Sequence, residues 1–556
     1  MPQRSAADEG KVGAPEEPAP QVSTLHDDEA PVYLEQHPSR KDDKCKHVAA
    51  TGDIEKATGT EDTSNRLTGP DQLPPPIETS DTEDYSIYTP AQKKWLCALA
   101  SLSALFSPLS TNIYYSATTV LASDLNTSIT NINLTITIYL IFQGLAPTFI
   151  GGLSDDVGRR PVYLLCFLIY IPANIGLALQ NSYPALFVLR GIQSAGGSGT
   201  VALASALISD VVTSAQRGSY VSYVTMGAMV GPAFGPTIGG LLAQYLGWRA
   251  IFWFLAILSG ITFVIILVFL PETNRRIVGN GSIPPQPWNR TILSIYQQHQ
   301  LKRDGKATPE CVVHAPTSKR PSLIQSIYVF TDKESCILLA YSGVFFAGFY
   351  IVLATLPALL EAKYHLNSLQ IGLCFIALGI GSLTSNIVNS RFMDWNFRRH
   401  AKIAGIVIDK NKQQDLRYLP IERIRLEIVL PLVAASCAIA VVYGFLIQHT
   451  VHLAAPLVFL YLTALTLTGT FSGLSALIVD LNRETPGSAS AAMNLSRCWL
   501  GAGASALAVP LENAIGMGWA SVVAAAIWLA IAPVIPFLIS RGPHWREEKR
   551  LKTGTD

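Results

Sequence analysis

From Trp95 onward the chain alternates long apolar runs with short polar breaks. Each run has about the twenty residues that a helix needs to cross a hydrocarbon core of roughly 30 Å. Twelve such runs can be placed, at approximately 95 to 116, 131 to 152, 161 to 180, 184 to 209, 219 to 244, 248 to 270, 336 to 360, 369 to 391, 426 to 447, 453 to 479, 487 to 511 and 518 to 540. No stretch has the alternation of a convincing strand. The pattern predicts an all-α integral membrane protein. Its parts would be a head over 1 to 90, six helices over 91 to 270, a central connection over 271 to 335, six more helices over 336 to 540, and a tail over 541 to 556.

Composition points the same way. Over 556 residues the chain is 49% hydrophobic and only 15% charged, with a mean hydropathy of +0.31, which sets it apart from ordinary soluble proteins. The eight cysteines stand singly, mostly inside apolar runs, so neither a disulfide framework nor a zinc site is expected. No metal or cofactor is expected either, because no His-rich cluster, nucleophile arrangement or phosphate-binding glycine loop occurs. His449 and His452 share a short loop, where two histidines are more often solvated than metal-bound. An integral-membrane enzyme and a nucleic-acid binder are both disfavoured.

The net charge of +1 divides unevenly: residues 1 to 90 carry nineteen acids against eight Lys/Arg, a net of −11, leaving +12 for the remainder. The acidic head has no sustained apolar periodicity and reads as a solvated, disordered tail. It lacks the basic start and apolar core of a signal peptide, so the first membrane helix is expected to direct insertion. Basic residues gather in alternate connections: Arg159 and Arg160, Arg217, Arg275 and Arg276, Arg398 to Lys412, and Arg541 to Arg550. The other connections hold little beyond Arg249 and Lys363. By the positive-inside rule both termini are cytoplasmic, and the Asn126-Thr127-Ser128 sequon falls on the outer side, open to glycosylation.

Four stretches carry more specific information. Gly151-Gly-Leu-Ser-Asp155-Asp156-Val-Gly158-Arg159-Arg160 concentrates charge in the narrow gap between the second and third runs. Leu186-Phe-Val-Leu-Arg190-Gly-Ile-Gln193 lies in the fourth run. Gly227-Ala-Met-Val-Gly231-Pro232-Ala-Phe-Gly235-Pro236-Thr-Ile-Gly239-Gly240 lies in the fifth, with glycines at four-residue intervals that make a smooth helix face. In the second part of the chain, Asp394-Trp-Asn-Phe-Arg398-Arg399 repeats the Asp155 to Arg159 spacing between the eighth and ninth runs.

On these motifs the chain resembles the major facilitator superfamily. The first stretch matches its loop between helices 2 and 3, and the next two match the fourth- and fifth-helix motifs of its proton-coupled exporters, with Ser194 in place of a glycine and Pro236 inserted. Phe106-Ser-Pro108, Pro271-Glu272-Thr273 and Leu419-Pro420-Ile421-Glu422 extend the resemblance to fungal twelve-spanner drug:proton antiporters, among them quinidine-resistance-type pumps and citrate exporters. It spans about residues 90 to 540. The resemblance implies two six-helix halves with a small-molecule site between them near the midplane, alternating access, and protons as the coupled ion.

Ionisable groups in hydrocarbon cost about 2.5 to 3.5 kcal/mol, so they normally face a cavity or a partner. Two such groups lie deep in the runs, Arg190 and Arg497, and no carboxylate lies at a matching depth. An electropositive cavity would follow, suited to an anionic substrate. Arg190 is read as a substrate ligand. Arg497 either shares that role or bonds to helix carbonyls. Asn112, Tyr114, Gln143, Gln193, Asn386 and Asn494 are candidate neutral neighbours, although taken singly such residues more often pack helices. Asp155, Asp156, Arg159, Arg160, Asp210, Arg217, Asp394 and Arg398 are assigned to a cytoplasmic gate of salt bridges.

The expected function is a monomeric plasma-membrane exporter of organic acids such as citrate, by proton antiport. Facilitated efflux of the anion remains open, because no obvious proton carrier stands in the helices. A multidrug or secondary-metabolite pump of the same family is the alternative, and a nutrient-sensing, transporter-like receptor is the reading from a different class.

Overall fold

The computed structural model describes residues 86–291 apart from 213 and 282, residues 325–403 and 405, residues 420–482, and residues 486–553. The acidic head before residue 86, the middle of the central connection and the side chain of Arg217 lie outside the described residues. The long helices are α1 (Pro90–Asn112), α2 (Ile129–Val157), α3 (Arg159–Leu179), α4 (Tyr183–Val211), α5 (Ser214–Leu246), α6 (Arg249–Phe269), α7 (Lys333–Tyr364), α8 (Ser368–Ile403), α9 (Ile421–Gln448), α10 (Ala454–Leu481), α11 (Pro486–Ile531) and α12 (Val534–Thr553). Nine described stretches are long and apolar enough to cross a membrane on length and composition alone. Large side chains such as Leu168, Val188, Ile257, Leu507 and Leu529 are exposed on the helix exteriors, which suits a surface bathed in lipid.

Local chemistry sets the helix ends. Thr89 accepts the Gln92 N–H while the Gln92 side chain accepts the Thr89 N–H, and Pro90 opens the first turn of α1. Asp332 caps α7 by accepting the Ser335 N–H at 3.1 Å. Gly158, at φ 115°, ends α2 and lets α3 begin at the next residue. Gly516, at φ 75°, kinks α11, which therefore contains the eleventh apolar run and the start of the twelfth.

The packing repeats with an offset of six helices. In the first half α1 lies on α5, and both α2 and α3 on α4; in the second, α7 lies on α11, and both α8 and α9 on α10. The halves meet where α2 crosses α11 and where α5 crosses α8. The glycine motif of α5 allows its tight fit on α1: a Cβ added at Gly231 would stand 2.6 Å from the Leu109 nitrogen, and one at Gly227 would stand 2.8 Å from the Ser101 oxygen. Gly235 and Gly239 face Asn112 and Ile113, while Gly240 touches Ser368 in the other half. Pro232 sits within this helix without ending it.

One expectation fails here. The Asp394 to Arg398 stretch was expected to repeat the loop between α2 and α3, but α8 runs unbroken to Ile403, and both side chains are exposed. No glycine stands where Gly158 breaks the first copy, so the helix continues. The equivalent of the Arg159 clasp lies instead between α9 and α10, where Arg425 Nε meets Asp480 Oδ2 at 3.0 Å.

Candidate functional site

Arg190 lies in the core of the first half and has 0% exposure. Its guanidinium carbon stands 4.2 Å from the ring centre of Tyr114 and 4.3 Å from that of Tyr139. Desolvated stacking of this kind is worth about 2 kcal/mol. Nη1 donates to Gln193 Oε1 at 2.6 Å, and Gln193 Nε2 donates to Asn174 Oδ1 at 2.7 Å. Tyr114 bonds Thr135 at 2.8 Å, and Tyr139 donates to the Ser107 carbonyl at 3.1 Å. Nε and Nη2 of Arg190 make no hydrogen bond among the described residues. The predicted trio of Arg190, Gln193 and Tyr114 is thus brought together, with Arg190 fully buried.

Arg497 is placed differently. It is partly exposed, stands 5.3 Å from the ring centres of both Phe346 and Phe471, and donates from Nη2 to Asn494 Oδ1 at 2.8 Å. Asn494 in turn donates across the halves to the Gln143 carbonyl at 3.0 Å. The Gln143 side chain donates back to Ser107 at 3.1 Å and Thr111 at 3.3 Å on α1. A polar line therefore runs from α1 through α2 to Arg497. Close approach is possible because residue 144 is glycine: a Cβ there would stand 3.0 Å from Cys498 Cβ.

The remaining predicted ligands have other occupations. Asn112 donates to the Pro108 carbonyl of its own helix at 2.7 Å. Asn386 reaches Met229 Sδ at 2.9 Å and ties α8 to α5. Further ties between the halves join Thr137 to the Ala502 carbonyl at 3.3 Å, Trp499 to the Ile141 carbonyl at 3.3 Å, and Thr237 to the Gly372 carbonyl at 2.9 Å. These ties involve residues 133 to 144 of α2 and 229 to 240 of α5, so they clasp the halves along one part of their length.

At the opposite end, the charged motif knots the first half to itself. Arg159 pairs with Asp155 through Nη1 at 2.5 Å and with Asp210 through Nε at 2.9 Å. Arg160 is buried and donates to the Leu267 carbonyl at 2.9 Å, whereas Asp156 is exposed. Burial raises the Asp210 carboxyl, and Arg159 opposes that shift. The chain after α6 completes the knot. Glu272, 3% exposed, accepts the backbone N–H of Arg159 at 2.9 Å and of Arg160 at 3.2 Å, stabilising the start of α3. Asn274 donates to the Ser154 and Asp155 carbonyls at the end of α2.

Sequence reasoning missed Tyr139, Phe346, Phe471 and the role of Glu272. The Pro271-Glu272-Thr273 stretch was the available signal for the last of these. An aromatic residue in a membrane helix carries no mark of its partner.

The family model described as Major Facilitator Superfamily matches residues 100–506. MFS-type transporter R5 of Phoma sp. is 44% identical over 83% of this chain and 87% of its own length. Citrate exporter 1 of Aspergillus niger is 34% identical over 85% of this chain and 91% of its own. Among solved structures, a D-xylose-proton symporter superposes with a TM-score of 0.55 at 13% identity, covering 79% of this chain and 96% of that one, a likeness of fold alone.

Proposed function

The chain belongs to the Major Facilitator Superfamily, and from that premise we propose that this multi-pass membrane transporter exports organic acids through a site centred on Arg497. The carrying observation is the position of that guanidinium: it is partly exposed, flanked by two rings, and joined through Asn494 and Gln143 to the seam between the halves. A fork of five donors in a membrane interior suits a carboxylate. Arg190 then acts as a fixed positive charge behind Tyr114 and Tyr139, which strengthens the field on the site without touching the substrate. Citrate, the cargo named for the relative from Aspergillus niger, is the first acid to test.

In this reading both termini are cytoplasmic, the protein resides in the plasma membrane, and the ties between halves close the outer end. The site then opens toward the end that carries Asp155 and Arg159. Protons entering the cell drive export, and the Arg159 knot moves as one body with α2, α3 and α4. The aromatic cluster of Phe346, Phe349, Tyr350 and Phe471 favours a broader second reading, in which the acid carries a flat or apolar portion.

Efflux of radiolabelled citrate, one lipophilic cation and one neutral toxin from cells expressing the wild type or Arg497→Ala tests the proposal, with and without an uncoupler. Citrate efflux that needs Arg497 and collapses with the uncoupler is expected. Efflux of the cation or toxin alone would overturn the acid reading, and citrate efflux that survives the uncoupler would replace antiport by facilitated export.

A further inference from the structure

Two acids that the central site does not use lie together in the second half, at the end of the bundle that carries the Arg425–Asp480 pair. Glu334 stands in the first turn of α7 and Glu422 in the first turn of α9. They are 4% and 0% exposed. The far portion of α12 covers both. A Cβ added at Gly542 would stand 2.7 Å from Glu334 Oε1 and 2.8 Å from Glu422 Cγ, so the two acids reach the same point beneath a residue that has no side chain. One turn further along α12, Arg546 Nη1 stands 3.3 Å from Glu422 Oε1. Neither carboxylate oxygen of Glu422 accepts a hydrogen bond among the described residues.

An ionised carboxylate that is buried without hydrogen bonds loses several kcal/mol of solvation, and a second acid beside it adds repulsion. Among the described residues the guanidinium of Arg546 stands closest to relieving this, and a proton is the alternative. They compete for one oxygen pair. Among the described residues, the other charged groups nearby are paired or at least partly exposed. On α7, Asp332 holds the Ser335 N–H and hydroxyl, and Lys333 is exposed. On α9, Arg423 is exposed, Arg425 is paired with Asp480 of α10, and Glu427 is paired with Arg399 and His400 of α8. On α12, Arg541, His544 and Glu547 are exposed and Glu548 is half-buried.

We propose that Glu422, with Glu334 beside it, is a proton-binding site whose movable counter-charge is Arg546. With Glu422 ionised, the ion pair holds the α12 extension over the acids. A proton taken from water forms an O–H bond on Glu422, replaces the guanidinium, and frees the extension; redocking returns the proton to water. The proton comes from and returns to water at one end of the bundle, so the site goes beyond the transport reading above as a pH-responsive latch on the α12 extension. The binding itself needs no substrate.

Leu551 and Ile403, on α12 and α8, are both exposed, at 77% and 72%. Spin labels at Leu551→Cys and Ile403→Cys, in full-length purified protein whose accessible native cysteines are replaced by serine, report the position of the extension. At pH 8 one short distance is expected. Toward pH 5 a longer one should grow, its ratio to the first changing by at most about tenfold per pH unit, the limit for one proton. Glu422→Gln should show the longer distance at both pH values, and so should Arg546→Gln, which keeps both acids should the first variant fold poorly. Gly542→Ala should undock the extension by steric contact alone. A wild-type distribution that does not move with pH, or a Glu422→Gln or Arg546→Gln variant that moves as the wild type does, overturns the proposal. Because the distances are read on substrate-free protein, absent citrate export alongside a pH-dependent extension would reject only the cargo.

Discussion

Arg159 of α3 reaches Asp210 of α4 with Nε at 2.9 Å, and Arg425 of α9 reaches Asp480 of α10 with Nε at 3.0 Å. The two halves thus share a clasp between corresponding helices, yet they surround it differently. In the first half the arginine side chain is 9% exposed, also holds Asp155, and lies beside the buried Glu272. In the second it is 18% exposed, and Asp480 is its described ion-pair partner. The same contrast recurs at the centre, where Arg190 is sealed between two tyrosines and Arg497 is partly open. In the transport reading proposed above, the first half serves as a framework and the second as a working surface.

The central pair of arginines gives the sharpest way to break that contrast. Arg190→Ala leaves Gln193 without its donor and a cavity between Tyr114 and Tyr139, and a large-to-small change of that kind costs about 2 to 5 kcal/mol. A large fall in melting temperature of the solubilised protein is the expected outcome. Arg497→Ala should leave that temperature nearly unchanged while reducing acid efflux by roughly ten- to a hundredfold, the worth of a charge-assisted bond of about 1.5 to 3 kcal/mol. If Arg190→Ala melts like the wild type and Arg497→Ala does not, the roles are reversed.

The clasps come next in size. Arg159→Ala leaves Asp210, whose side chain is 10% exposed, buried without this partner and also frees the more solvated Asp155, so a loss of about 3 kcal/mol is expected. Arg425→Ala removes a more solvated single pair and should cost about 1 kcal/mol. Equal losses in thermal unfolding would mean that the second half is as rigid as the first. A smaller effect separates two glycines. Gly231→Ala should cost about 1 to 3 kcal/mol through overpacking against α1, whereas Gly503, with nothing within 4 Å of an added Cβ, should tolerate alanine within about 0.5 kcal/mol.

Much of this architecture is legible in the sequence because lipid imposes a simple rule: a helix that crosses it must be long and apolar. Helices α1 to α10 fall on the first ten predicted runs, while α11 spans the eleventh and most of the twelfth and α12 continues to Thr553; α8 extends to Ile403 and α9 begins at Ile421, since polar residues continue a helix beyond the membrane without an apolar signal. The site is less legible. Arg190 and Arg497 look alike in sequence, and only the fold shows that Arg190 is fully buried between Tyr114 and Tyr139, while Arg497 beside Phe346 and Phe471 keeps part of its surface exposed. The Asp394 to Arg398 spacing misled because spacing alone omits the glycine that breaks the helix. Glu334 and Glu422 lie far apart in the chain and meet only through Gly542.

The smallest expected effect concerns which end of each half faces out. Asn126 is exposed in a turn at φ 47°, its N–H bonded to the Ser123 carbonyl at 3.2 Å, so a glycan there would meet no packed surface. Expression in a fungal host should give a gel shift that is reversed by endoglycosidase and absent from Asn126→Gln, with melting temperature unchanged. Such a shift fixes the α1–α2 connection outside and both Arg–Asp clasps in the cytoplasm, where the framework and working halves can part during export. A glycan on a sequon engineered beside Asp156 instead would invert the assignment, and the clasps would then guard the outer entrance.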